Sequence, residues 1–277
     1  MNPTGPRRPR RNPLLRSSRP GLLVAAAAAT LLVFSGCSAG TPGQPQAKPS
    51  GHATPTASHT PRPLPTSTPT AAAAGFDKHA QSIDDPTSTW VVVNKPRPLN
   101  PINYTPASLV YPEVTYVNRQ PMRPEVAEAL VRMFQAGKKE AGLDFSVQSA
   151  YRSFESQTNV YNEDAARNGK AYADTDTARP GHSEHQTGLA VDISAVPAKC
   201  SLDACFAHTP QGEWLAANAW RFGFLLRYPA DKVPVTGFAF EPWHFRFVGE
   251  PLAAQLKSTG ITTLEEFFGV PGGTEYH

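Results

Sequence analysis

The sequence predicts an α+β fold, and three observations lead there. Segments with apolar residues at 3- and 4-residue steps interleave with short segments patterned as strands. Pro and Gly separate these segments, and the strands look antiparallel rather than joined by long crossovers. The part with a globular composition, residues 76–277, is of a size that one hydrophobic core can serve and shows no internal repeat. One domain with a central antiparallel sheet flanked by helices is the expectation.

The elements follow in order. Residues 90–94 (WVVVN) are apolar and β-branched, which predicts a strand, and a Pro-rich irregular stretch runs from there to Pro124. Pro124 sits at the favoured first position of a helix carrying Val126, Ala129, Leu130, Met133 and Phe134 on one face, with Gly142 as its stop. Residues 145–150 (FSVQSA) alternate as a strand, and residues 153–168 read as a helix capped by Ser153. Further strands are expected at 187–193 and at 238–248, the latter interrupted by Pro242. Helices are expected at 211–221, 252–257 and 263–268.

The N-terminal 75 residues read differently. Residues 1–20 hold six arginines and no acid, and the apolar run 21–34 is shorter than the roughly 20 residues a spanning helix needs. Residues 1–36 therefore read as an export signal. Phe34-Ser35-Gly36-Cys37 resembles the lipobox of bacterial lipoproteins, which implies acylation of Cys37 and a lipid anchor at the outer face of the cytoplasmic membrane. Simple secretion to the cell wall is the alternative, and Arg10-Arg11 leaves a twin-arginine signal open. Residues 37–75 are Pro, Thr, Ser, Ala and Gly with almost no large apolar side chain, a composition that reads as a disordered tether. Loss of residues 1–36 takes six positive charges from a formal +3 and leaves −3, so no nucleic-acid partner is expected. The sequence says nothing of oligomeric state.

Chemistry concentrates in two stretches, PGHSEHQTGLAVDIS (residues 180–194) and FEPWHFRFVG (residues 240–249). Of eight histidines, His52 and His59 lie in the tether, His79 at the domain edge and His277 at the terminus, leaving His182, His185, His208 and His244 as candidate ligands. His185 and Asp192 flank the small residues Gly188 and Ala190, and His244 follows Glu241 by three. Two His and one carboxylate form a common ligand set for a catalytic zinc that keeps one position open. Residues seven apart face opposite ways on an unbroken strand, so His185 is expected in the loop before a strand from which Asp192 points inward. Glu241 and His244 pose the same problem, and a bulge or turn at Pro242 would let them converge.

SEHQTGLAVD and EPWH match the paired SxHxxGxAxD and ExxH motifs of the zinc-dependent D-alanyl-D-alanine carboxypeptidases of the VanY type, and the chain resembles that family. VVNK (92–95), SAYRSFESQ (149–157) and FGFLLRYP (222–229) extend the likeness over residues 85–250. The resemblance implies a hedgehog/DD-peptidase-like zinc domain in which His185, Asp192 and His244 bind Zn²⁺ and Glu241 is the catalytic base. It implies that Arg152 stabilises the oxyanion, with a structural salt bridge as the other reading, and that Gln157 and Ser183 contact the substrate's terminal carboxylate. The implied partners are peptidoglycan stem peptides. Removal of their last D-amino acid is the expected reaction, with L,D-carboxypeptidase, endopeptidase or silent wall-binding roles as alternatives. Glu184 is expected to be structural or to support the ligands, and His182 not to ligate. Trp243 and Tyr228 each read as core or as pocket wall. Cys200 and Cys205, five positions apart in an exported chain, are expected to form a small-loop disulfide.

Overall fold

The computed structural model describes residues 75–276. The expected export signal, Cys37 and most of the tether lie outside the described residues. Among the described residues, no helix is long and apolar enough to cross a membrane.

Four antiparallel strands form one sheet in the order β1-β2-β4-β3: β1 is Asp144–Ser149, β2 Ala190–Val196, β3 Phe224–Leu226 and β4 His244–Phe247. Side chains alternate across this sheet. Phe145, Val147, Val191, Ile193, Phe245 and Phe247 enter the main hydrophobic core. Asp192, His244 and Arg246 belong to the other face, where Asp192 is the cross-strand partner of His244 and Ala190 that of Arg246.

Helix α1 (Pro124–Ala141) covers the apolar face with Val126, Ala129, Leu130, Met133 and Phe134, as its periodicity requires. It ends at Gly142, whose φ of 69° is the left-handed cap that glycine adopts without penalty. Phe145 packs against Gly137 so closely that any side chain there would run into its ring. Ser153 caps α2 (Phe154–Asn168) by accepting from Ser156 N at 3.1 Å. Helix α3 (Lys170–Asp176) follows after Gly169, then α4 (Pro210–Asn218), the single turn α5 (Val233–Thr236), α6 (Glu250–Thr259) and α7 (Leu264–Phe268). α6 and α7 build a second apolar cluster with Trp90, Val92 and Val248.

Several expectations are corrected. Residues 90–94 are buried but join no sheet, because side chains take the carbonyls a ladder would use. Arg246 donates to the carbonyls of Thr89 and Val91, Arg97 to that of Val92, and the His182 ring meets that of Asn94. The strand expected at 187–193 begins at Ala190, since Glu184–Thr187 is a 3-10 turn closed by Gly188 at φ 69°. The expected helix 211–221 divides into α4 and a 3-10 turn, Ala219–Phe222. The strand expected at 238–248 shrinks to β4, its first half being a turn around Pro242. Strand β3 and helices α3 and α5 are too short for their periodicity to show in the sequence.

Candidate metal centre and active-site pocket

Asp192 and His244 stand opposite each other on β2 and β4, so sheet register alone brings them together. His244 Nδ1 lies 3.0 Å from Asp192 Oδ1. His185 arrives from the 3-10 turn before β2 and sets its Nε2 3.3 Å from Asp192 Oδ2, its ring perpendicular to that of His244 at 5.0 Å. The three ligand atoms lie within 4.8 Å of one another. A tetrahedral zinc with bonds of about 2.0–2.1 Å separates its ligand atoms by about 3.3 Å, close to the two His–Asp192 distances, so the residues could hold such an ion with small adjustments.

The free ring nitrogens are fixed from behind. His185 Nδ1 is 2.7 Å from the carbonyl of Ala150, which can only accept, so Nδ1 carries the hydrogen and the lone pair is on Nε2. His244 Nε2 is 3.3 Å from the Glu184 carboxylate and its Nδ1 3.0 Å from Asp192 Oδ1, and since carboxylates only accept, each nitrogen donates a hydrogen in the metal-free site. His185 thus presents a lone pair towards Asp192, and His244 would present one as well once a metal took the place of the hydrogen on Nδ1. Burial alone would lower the pKa of His244, yet hydrogen bonds to Asp192 and Glu184 push it up to about 9. Asp192 is held far below the carboxylate range, the facing histidines overcoming the cost of burial. Two carboxylates around one imidazole favour positive charge at this place.

Glu184 belongs to an ionic cluster with no solvent contact. Its Oε1 accepts from Arg227 and from Arg246, each at 2.8 Å, and Arg227 holds Glu265 through two further bonds of 2.9 and 2.6 Å. Burial would raise the pKa of Glu184, but the two guanidinium groups hold it well below the usual range. The sequence reading of Glu184 as a supporting residue agrees with this. Arg227, Arg246 and Glu265 escaped that reading because nothing local marks residues paired across tens of positions.

Glu241 precedes β4 in a turn: His244 N donates to its carbonyl at 3.1 Å, and its own N–H donates to Tyr228 O. Its carboxylate stands 3.8 Å from His244 Nδ1, outside the ligand set but beside it. Burial, helped by Asp192 and Asp176, pushes its pKa up to about 8. Arg152 follows the bulge that ends β1 and donates to Ser149 Oγ at 3.2 Å and to Gln157 Oε1 at 3.0 Å. It makes no ion pair among the described residues, so the salt-bridge reading of Arg152 falls. Gln157, from the first turn of α2, also donates to Ala178 O at 2.7 Å, so its amide positions Arg152.

These groups line one pocket of about 250 Å³ with Ser183, Tyr228, Trp243 and Leu202. Tyr228 is buried with its ring 4.8 Å from that of His244, and Trp243 both packs on the core and walls the pocket. Cys200 and Cys205 are bonded, and their loop presents Leu202, 47% exposed, to the pocket. His182 turns away to Asn94 O and Tyr276, and neither it nor His208 joins the ligand set.

Residues 119–250 match the family VanY, D-alanyl-D-alanine carboxypeptidase. A relative from Enterococcus gallinarum, the bifunctional D-Ala-D-Ala dipeptidase and D-Ala-D-Ala carboxypeptidase VanXYC, is 34% identical over 182 residues, covering 65% of this chain and 93% of the relative. The chain belongs to the VanY family. Among solved structures, the LD-carboxypeptidase LdcB superposes on this VanY-family chain with a TM-score of 0.61 at 38% identity, over 68% of this chain and 89% of that one. The D,D-pentapeptidase VanY, solved in complex with Zn(II), gives 0.55 at 32% identity over 65% and 98%. The α+β architecture of this VanY-family domain is thus the one shared by these carboxypeptidases.

Proposed function

We propose that the protein is a zinc-dependent D-alanyl-D-alanine carboxypeptidase that removes the terminal D-alanine from peptidoglycan stem peptides. The observation that carries this reading is the convergence of His185, Asp192 and His244 beside Glu241 in one pocket. A VanY relative solved with Zn(II) supports zinc as the metal. Zinc, when bound, supplies Lewis acidity towards the scissile carbonyl and an acidified water.

The chain's own groups do the rest. Glu241 takes the proton of the attacking water and passes it to the departing amine of D-alanine, a task suited to a carboxylate whose pKa lies near neutrality. Arg152 keeps a fixed charge towards the carbonyl oxygen as negative charge develops there, and Gln157 and Ser149 hold its fork in place. Ser183 and the second hydrogen of Gln157 Nε2 are the groups assigned to the terminal carboxylate. The N-terminal pattern supports export, a lipid anchor at Cys37 and a tether over residues 37–75, which would set residues 76–277 in the cell wall.

Mass spectrometry of products from a pentapeptide ending in D-Ala-D-Ala, and in parallel from the tetrapeptide, tests the reaction with Glu241→Gln as control. Loss of one D-alanine from the pentapeptide, absent in the control, is expected. The LdcB likeness favours a second reading, L,D-cleavage, which loss from the tetrapeptide alone would establish. Elemental analysis of protein purified without added metal should find about one zinc per chain, the stoichiometry of a single three-ligand site.

A further inference from the structure

The pocket joins buried polar groups to exposed apolar ones. Gln157, Ser183, His185, Asp192 and His244 line it and are each at most 6% exposed. Two apolar side chains that line it stand largely in water instead: Leu202, 47% exposed, and Val160, 36% exposed. Val160 lies three positions after Gln157 on α2, hence on the same helix face. The wall that holds Arg152 through Gln157 therefore continues towards solvent as hydrocarbon.

Leu202 is kept at this place against local preference. Its φ is 53° and that of Cys200 is 56°, in the left-handed region that a side chain disfavours. The surrounding contacts impose that shape. The Cys200–Cys205 bond closes the loop, Asp203 Oδ1 accepts from Cys205 N at 2.8 Å, and Phe206 seats the following turn in the main core. All of this leaves the one large apolar side chain of residues 200–205 in solvent. A leucine at a surface is ordinary by itself. One clamped in a left-handed backbone on the rim of a reactive pocket, with a second exposed aliphatic on the same pocket, points to hydrocarbon that arrives with the substrate.

We propose that Leu202, together with Val160, is a specificity residue that packs on the aliphatic side chain of the substrate residue immediately before D-Ala-D-Ala. The proposal rests on the carboxypeptidase reading and narrows it. A carboxypeptidase takes the C-terminus of its substrate inwards, so the terminal carboxylate and the scissile carbonyl meet the buried polar groups. The upstream chain then leaves across the exposed rim. The D-alanine before the scissile bond offers only a methyl group, and the residue before it is the first whose side chain can be long enough to cover Leu202 and Val160. The disulfide loop thus sets which residue the enzyme prefers at that position.

The test uses the zinc-loaded full-length protein and two peptides, acetyl-X-D-Ala-D-Ala, in which X is L-norleucine or L-alanine. Norleucine adds an unbranched hydrocarbon chain and no charge. Wild type is expected to favour the norleucine peptide in kcat/KM by about tenfold, mainly through KM, as burial of about two methylene groups would give. Leu202→Ser should bring that ratio close to one, Val160→Ser should lower it, and Leu202→Met should keep it. The double variant Cys200→Ser/Cys205→Ser should lower it with Leu202 still present. A wild-type ratio near one, a ratio that survives Leu202→Ser, or equal losses on both peptides would overturn the proposal. Kd values for the same peptides, measured by calorimetry in a Glu241→Gln background with and without Leu202→Ser, decide it independently of turnover. If wild type cuts neither peptide the hydrolytic reading fails, while the ratio of Kd values still upholds or overturns the role of Leu202. Binding of neither peptide would overturn it as well.

Discussion

Strands β2 and β4 carry two surfaces that are equally dry and chemically opposite. Val191, Ile193 and Phe245 on one face, and Asp192, His244 and Arg246 on the other, are all at most 4% exposed. Burial therefore does not distinguish them; what satisfies each side chain does. The apolar face needs only matching volume, supplied by α1 and by Phe206 and Leu215. The polar face needs a partner for every charge. Arg227 and Arg246 balance Glu184 and Glu265, whereas Asp192 and the two histidines leave room for a cation.

Substitutions should separate the two surfaces by what they damage. The largest effect is expected from Glu241→Gln, which should lower kcat by about 10²–10⁴-fold while zinc content and Tm stay as in wild type. Glu184→Gln should cost about 3–5 kcal/mol, because two buried guanidinium groups lose their shared charge. It should also weaken zinc binding about 10–100-fold through His244 Nε2, read by competition with a chelator. Phe245→Ala, on the other face of the same strand, should cost a similar 3–5 kcal/mol in denaturant melts. Zinc affinity should stay unchanged, and a drop matching that of Glu184→Gln would erase the distinction between the faces.

The smallest effect lies outside the sheet and shows what a charge cluster in contact with water contributes. Burial would raise the pKa of Asp174, but bonds from Arg179, Lys170 and Tyr161 hold it below the usual carboxylate range. A folded pKa below the unfolded value of about 3.9 gives stability that is full above that pH and fades as acid protonates the folded carboxylate. Discounted for solvent, Asp174→Asn should cost about 0.5–1 kcal/mol at pH 7. The Tm gap between wild type and Asp174→Asn should narrow as pH falls below about 4.

The convergence of His185, Asp192 and His244 was legible because its geometry is local or set by strand pairing. His185 had to leave the strand, since seven positions reverse the face, and the 3-10 turn at Glu184–Thr187 does that. Pro242 had to break regular pairing, and the turn it sits in brings Glu241 to His244. Helix α1 announced itself by Pro124, its apolar stripe and Gly142. What the sequence hid was long-range. The WVVVN segment has every mark of a strand, but Arg246, some 155 residues away, takes the carbonyls a neighbour would need. Nothing local in the sequence marks Arg227 and Glu265, which the fold buries against each other.

Gly188, with φ of 69°, fixes where β2 starts, and Asp192 comes four positions later. In a strand an interval of that kind has parity. Inserting or deleting one residue between Gly188 and Asp192 would turn the carboxylate into the hydrocarbon and hand its place to an aliphatic side chain, whereas a change of two would preserve its facing. The segment GLAVD thus tolerates variation in which small apolar residues it contains far better than variation in how many. Evolution can respell this stretch more freely than it can resize it.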